Sequence, residues 1–391
     1  MKYHDNAIND VYSKNFIIIT GEYPIADEPI YTFVRQLACQ IADLGIKCSV
    51  VAPLSITRCL VRNRKNRPYH WVDTTENGSI IDVYQPRMIS LSNLKIFGYQ
   101  LSSYISMSAV SRTVKKVLNE DSILYGHFWH NGIIAARIGK KKNLPVFVAS
   151  GESSISIYDC FPGKYINQYL GAINGVICVS KKNLDESVYC GLTSTEKCSV
   201  IPNAIDRGIF YPEDKQTLRK HFGYGKDDFI VAFVGYFNER KGVLRLSNAI
   251  KTVGGIKSIF IGSGKQKPDC EGILYCGKLP YKEVVHYLNC ADVFVLPTLA
   301  EGCCNAIIEA MACGLPIISS DSAFNDDILN DKCSIRVDPE NCSEIANAIK
   351  TIKNDIALRQ RMSEAAYETS TKLDIKERAS RILEFIQKKL V

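Results

Sequence analysis

The sequence predicts an α/β protein of two doubly wound domains, and three observations carry that reading. The chain has 391 residues, about two to three times a common single domain. Short β-branched runs alternate with longer amphipathic stretches from residue 16 onward. That rhythm breaks once, over Ile201 to Asp228, and then restarts.

The first unit of the pattern is Phe16 to Thr20 (FIIIT), a helical stretch from about Ile30 to Leu44 closed by Gly45, and the apolar run IKCSVVAP. A strand, a helix ended by glycine and a second, nearly continuous apolar strand make a βαβ unit in a buried parallel sheet. Further strands are expected at Ile123 to Tyr125, Val146 to Ala149, Val176 to Val179 and Ser199 to Ile201. The segment Ile201 to Asp228 gathers Pro, Gly, Asn and charge and reads as the connector. Strands then resume at Ile230 to Val234, Ser258 to Ile261, Gly272 to Tyr275, Val293 to Leu296, Pro316 to Ser319 and Cys333 to Val337. Lys372 to Leu390 alternates Leu, Ile and Phe with charge at helical spacing. The expected division is 1–205, 206–371 and a packed helix over 372–391. Open α/β sheets bind ligands at the carboxyl ends of their strands, so a site in a cleft between the two domains is expected.

Charged residues at 23% and hydrophobic ones at 46% exclude collagen-like, low-complexity and disordered classes. No apolar run approaches the roughly 20 residues that span a bilayer. The N-terminus lacks an apolar stretch before its first strand, so cytoplasm is the expected compartment. Fifteen cysteines are scattered with no C-x-x-C spacing, which fits reduced thiols better than disulfides or a zinc site. The net charge of +7 is concentrated in residues 1–200, with 22 basic and 16 acidic side chains. Arg58, Arg62, Arg64, Lys65 and Arg67 form a run that reads either as a solvated loop or as a contact for anionic lipid headgroups on the inner face of the plasma membrane. Nucleic acid is a poorer partner, because no aromatic ladder or binding motif accompanies the run.

Several chemistries lack their residue sets. There is no P-loop, no complete G-x-G-x-x-G, no H-E-x-x-H and no G-x-S-x-G. No two aspartates lie two positions apart, so the D-x-D pair that usually holds a cation for sugar transfer is missing and no metal is expected. The informative segment is Glu301 to Glu309 (EGCCNAIIE), after the strand VFVLP and before AMACGLP. Glu301 and Gly302 should turn the chain, Asn305 should stand near the N-cap, and Glu309 should lie early in the helix. Free N–H groups and the positive helix end favour a phosphate there. A carboxylate such as Glu309 accepts two hydrogen bonds from vicinal hydroxyls of the ribose kind.

Two glutamates at this spacing arise by chance about once in a chain this long, so the context decides. Pro297, Glu301-Gly302, Asn305, Glu309-Ala310, Gly314 and Pro316 together resemble the E-x7-E signature of the retaining glycosyltransferases of family 4, which have the GT-B fold. The segments VICVS, VIPNAIDRGIF and FVGYFNERKG agree in order and spacing across nearly the whole chain. The resemblance implies two Rossmann-like domains facing across a cleft. It implies a nucleoside-diphosphate sugar as donor, no cofactor and no metal, and retention at the anomeric carbon. It places the ribose on Glu309 and the diphosphate against Lys241 and the backbone of Gly235 and Gly302, with Glu301 on hydroxyls of the transferred sugar. Tyr236 stands where the family carries the arginine of its phosphate clamp, and Arg240 from the same loop is the candidate substitute.

On the acceptor side, GEYPIADEPIY (Gly21, Glu22 onward) replaces the family's glycine-rich turn, and Ser150-Gly151 stands where the family has its His-Gly pair. His127 in YGHFWHNG is either a contact to the transferred sugar or a packed residue beside Phe128 and Trp129. A glycan or polyprenyl-linked glycan, in the assembly of capsule, O-antigen or exopolysaccharide, is the acceptor the resemblance implies. Two rival readings stay open: an epimerase that uses the same fold on a nucleotide sugar, and a non-catalytic carbohydrate- or nucleotide-sugar-binding protein.

Overall fold

The computed structural model describes residues 10–25, 30–61, 67–91, 94–96 and 99–390. The chain divides into two compact units, one of residues 1–201 with 376–391 and one of residues 202–375. The sequence placed these boundaries at 205 and 371. The C-terminal helix belongs to the first unit.

The first unit is an eight-stranded sheet of β1 (Asn15–Ile19), β2 (Lys47–Val51), β3 (His70–Thr74), β4 (Ile80–Tyr84), β5 (Ser122–His127), β6 (Val146–Ser150), β7 (Gly175–Cys178) and β8 (Cys198–Val200). Their spatial order is β8-β7-β6-β5-β1-β2-β4-β3. All neighbours are parallel except β3 and β4, an antiparallel pair at the edge. The sequence reading missed this pair, whose alternating exposure leaves one face wet. Burial of the central strands alternates between two cores. Phe16, Ile18, Cys48, Val50 and Tyr125 enter one, and Ile17, Ile19, Val51, Leu124 and Val148 the other, as the period of two demands.

Helix α1 (Thr32–Asp43) lies on the first core and ends where Gly45 adopts φ +81, a conformation that costs glycine little. Helices α2 (Leu101–Val117) and α3 (Trp129–Lys142) cover the other. Far along the chain, Ala379, Ile382, Leu383 and Ile386 of the final helix return to the first core. Their successive spacings of three, one and three residues make the apolar stripe of a helix face.

The second unit is a six-stranded, wholly parallel sheet of β9 (Ile230–Phe237), β10 (Lys257–Gly264), β11 (Ile273–Gly277), β12 (Val293–Leu296), β13 (Ile317–Ser320) and β14 (Ser334–Val337). The order is β11-β10-β9-β12-β13-β14, so the chain reverses direction across the sheet at β9, a topological switch of the kind that holds ligands. The expected connector contains a helix, Lys215–Phe222, capped by Asp214 and ended by Gly223 at φ +72. Among the described residues no helix is long and apolar enough to cross a membrane.

Candidate functional site

Strand β9 delivers the chain to Phe237 at the carboxyl edge of the sheet, and after five intervening residues helix α4 (Val243–Val253) begins. The turn between them is fixed locally. Asn238 Oδ1 accepts from the backbone N–H of Lys241 at 3.0 Å, and the N–H of Gly242 reaches Asn238 O at 3.2 Å. Gly242 takes φ +76, and a Cβ there would stand 2.3 Å from the carbonyl oxygen of Pro297. Only glycine satisfies both conditions. The Lys241-Gly242 pair is therefore pressed against the start of the loop after β12.

That loop runs from Pro297 to Cys304 and enters helix α5 (Asn305–Ala312). Cys304 occupies the N-cap and Asn305 is the first helical residue, next to the N-cap. Asn305 Oδ1 is buried with no hydrogen-bond partner among the described residues. The loop is tied to the connector segment as well, because Asn203 Nδ2 donates to Cys303 O at 3.1 Å.

Glu301, only 9% exposed, collects three donors on one oxygen. Lys241 Nζ lies 2.7 Å from Glu301 Oε1, Arg240 Nη1 also 2.7 Å, and Thr298 Oγ1 2.8 Å. Arg240 additionally donates to the carbonyl of Ala300. Two cations against one carboxylate leave a positive remainder at the helix N-terminus, where the peptide dipoles add to it. Burial pushes the Lys241 ammonium down, while the facing Cys304 thiol and the Glu301 carboxylate hold it above the usual lysine value. Its ammonium has three donors; one goes to Glu301 and one points at Cys304 Sγ, 3.8 Å away. Burial keeps the Cys304 thiol protonated, although Lys241 draws it the other way.

Glu309 sits one turn further into α5, 6% exposed. Its Oε1 accepts from Tyr281 OH at 3.0 Å. Burial raises its carboxyl to about 7, against the lowering effect of Tyr281 and Lys241. Tyr281 is steadied by the edge of Phe210, 5.2 Å between centroids. No motif or spacing points to Tyr281, which lies in the short turn Tyr281–Glu283.

Gly235 lies in β9 before the turn, and Gly302 is buried in the loop. Tyr236 is 60% exposed and contributes no charge, while Arg240 of the following turn is engaged with Glu301 and the carbonyl of Ala300. Lys241, Arg240, Glu301, Asn305 and Glu309 are thus gathered by two turns and one helix of the second unit.

The residues expected on the acceptor side fall in the first unit. His127 ends β5 fully enclosed by rings, stacked on Phe128 at 4.8 Å and edge-on to Phe33 at 5.1 Å. Neither ring nitrogen has a partner among the described residues. Burial, with Arg378 nearby, lowers it to about 3, so it is a neutral imidazole at physiological pH. The next residue, Phe128, is held at φ 65, a conformation rare outside glycine.

Ser150 is fully buried, within 3.3 Å of Trp129 Nε1, Ser187 Oγ and Glu152 Oε2. This removes it from ligand contact in the described conformation, and Gly151 is walled by Phe128 and Val179. Glu152, the next residue, is part of the scaffold. Its carboxylate accepts from the backbone of Trp129 at 2.6 Å and of Gly151 at 2.9 Å, fixing the start of α3. Gly21 and Glu22 do line open space, a pocket of about 540 Å3 within the first unit. Of the basic run, Arg62, Arg64 and Lys65 lie outside the described residues, while Arg58 and Arg67 line that pocket.

With this geometry in place, likeness to known proteins becomes informative. Residues 214–369 match the family described as Glycosyl transferases group 1, a span that contains Lys241, Glu301 and Glu309. A putative teichuronic acid biosynthesis glycosyltransferase, TuaC of Bacillus subtilis, is 26% identical over 365 residues, covering 90% of this chain and 92% of its own. The capsular polysaccharide biosynthesis glycosyltransferase CapM of Staphylococcus aureus is 24% identical over 203 residues, 47% of this chain and 53% of its own. Among solved structures, the sucrose-phosphate synthase of Thermosynechococcus elongatus superposes with a TM-score of 0.75 at 17% identity, over 94% of this chain and 97% of that one. Anabaena HepE in complex with UDP gives a TM-score of 0.70 at 14% identity, over 95% and 98%. The chain is therefore a glycosyltransferase of GT-B fold whose second unit carries the group 1 glycosyl transferase domain.

Proposed function

We propose that this glycosyltransferase moves a sugar from a nucleoside-diphosphate sugar to a glycan or lipid-linked glycan acceptor during assembly of a cell-surface polysaccharide, with retention and without a metal. The observation that carries the donor reading is the cluster of Lys241, Arg240 and Glu301 beside the N-terminus of α5, with Glu309 one turn away. Two relatives are named for teichuronic acid and capsule assembly, and a structural neighbour was solved with UDP-glucose. These names favour polysaccharide assembly and a nucleotide sugar.

The chemistry follows from the charges. In the free protein Glu301 pairs with both Lys241 and Arg240 and offsets one of their two charges. An arriving diphosphate is a stronger partner for both cations, and the exchange frees Glu301 to accept hydroxyls of the transferred sugar. As the glycosidic bond to phosphate breaks, negative charge grows on the leaving oxygens. Lys241 and the first N–H groups of α5 stabilise it without reorganisation. Glu309 accepts vicinal ribose hydroxyls when ionised.

The test is release of nucleoside diphosphate from a panel of donors, with and without candidate acceptors. Transfer requires release that depends on the acceptor and a product one sugar larger. Interconversion of the donor sugar with no acceptor requirement would establish an epimerase instead, and binding without turnover a non-catalytic protein.

A further inference from the structure

The second unit opens on the segment from Pro202 to Phe210, and that segment reaches both ends of the proposed donor site. At one end Asn203 Nδ2 donates to the carbonyl oxygen of Cys303 at 3.1 Å. At the other, Phe210 braces Tyr281, whose hydroxyl donates to Glu309. Between these two points the chain is pinned. The N–H of Ile205 reaches Leu373 O at 2.9 Å and the N–H of Ile375 reaches Ile205 O at 2.9 Å, a parallel bridge to the far end of the unit. Ala204 and Ile205 are buried. The carbonyl of Asp206 accepts from the N–H groups of Ile209 and Phe210, both at 3.0 Å. Asn203 is therefore a fixed point from which the loop after β12 is held.

What Asn203 holds is a peptide plane. The Cys303–Cys304 peptide bond is trans, so its N–H points opposite to its carbonyl. With that carbonyl turned to Asn203, the N–H of Cys304 is turned away from it. Cys304 is the N-cap of α5. Neither its N–H nor that of Asn305 has an acceptor among the described residues. Lys241 Nζ stands 3.8 Å from Cys304 Sγ, which brings the ammonium to the same corner as these amides. An anion at that corner meets a side-chain cation and backbone donors together. The donors count only while their plane is held. Taking the Asn203 amide away removes a hydrogen bond from the carbonyl of a buried residue, and the plane then gains by turning toward other partners.

We infer that Asn203 is a positioning residue for the diphosphate: through the Cys303–Cys304 peptide it aims the Cys304 N–H at the phosphate that Lys241 binds. The inference rests on the donor reading above and adds a residue that lies 100 positions from the loop it sets. Its effect is confined to one end of the donor. The ribose end is held separately, by Phe210 behind Tyr281 and by Tyr281 on Glu309.

Calorimetric titration of the full chain with the best-bound of uridine, guanosine and adenosine diphosphate, and with its parent nucleoside, tests it. Asn203→Ala should weaken binding of the diphosphate about tenfold, the size of one hydrogen bond to a charged group, and leave the nucleoside unaffected. Asn203→Asp keeps the shape of the side chain but sets an acceptor against the Cys303 carbonyl. It should lose at least as much, again for the diphosphate alone, and it keeps the test readable should the alanine variant fail to fold. Diphosphate affinity equal to that of the native protein in either variant would overturn the inference, because the plane would then hold without Asn203. A parallel loss for diphosphate and nucleoside would overturn it too, by making Asn203 a general scaffold residue. Native protein that binds none of the three diphosphates would instead count against the donor reading, a result distinct from either of these.

Discussion

At the scale of residues, the proposed donor site is an arrangement of charges suited to a diphosphate. Lys241 carries most of that burden, because its largely covered side chain meets both Glu301 and Cys304 at the N-cap of α5. Lys241→Ala should lower turnover by two or more orders of magnitude, the loss expected for a preorganised electrostatic contact. Unchanged transfer rates in steady-state assays would contradict its role. Glu309 behaves differently, since its carboxyl sits near 7 rather than at its ordinary value. A raised carboxyl pKa means the folded state holds a proton that the unfolded chain releases, so the destabilisation is absent below the unfolded value and complete above about 7. Glu309→Gln should therefore raise the melting midpoint at pH 8, by up to about 3 kcal/mol of stability, and change little at pH 4. The same substitution should flatten the pH dependence of kcat/KM, which in the native protein should rise through neutrality as Glu309 ionises. Tyr281 lowers that pKa by donating to the carboxylate, so Tyr281→Phe should shift the rising limb to higher pH. Lys241, Glu301 and Glu309 were legible in the sequence because they fall in a recurring pattern. Tyr281 was not, because a hydroxyl brought in from 28 positions away leaves no spacing to read.

At the scale of elements, the site depends on two turns closing against each other. Gly242 is the joint, with φ +76 and no room for a Cβ beside Pro297 O. Gly242→Ala should cost about 2 kcal/mol or more and weaken donor binding by displacing Lys241, measurable together by thermal unfolding and calorimetric titration. A neutral effect on both would show that the turn can relax. Strands of the central sheets were readable as apolar runs, since strands buried on both faces need no alternation. The edge pair β3 and β4 was missed because its half-exposed pattern mixes Asp73 and Asp82 with Trp71 and Val83. The helix Lys215–Phe222 was missed for a related reason: its strong charge resembles a connector, and only Asp214 and Gly223 mark its ends.

At the scale of the whole molecule, the last helix, α6 (Ile375–Leu390), stitches the end of the chain to its beginning. Gln387 Oε1 accepts from Val11 N at 2.7 Å, and Lys389 Nζ reaches Glu196 O at 2.8 Å. Ile382 and Ile386 are wholly buried in the first unit's core. Ile382→Asp should destabilise that unit by more than about 3 kcal/mol, seen as an early transition in calorimetry while the second unit melts as before. The sequence predicted an amphipathic helix here, but a pattern of apolar residues does not say which core receives it. The central claim is that the second unit reads a nucleoside diphosphate with separate residues for its two ends. Calorimetric titration of the preferred diphosphate and of its parent nucleoside into native protein, Lys241→Ala and Glu309→Gln tests this most directly. The account predicts that Lys241→Ala loses affinity for the diphosphate alone, and that Glu309→Gln loses it for both ligands. Equal affinities across the three proteins would contradict it.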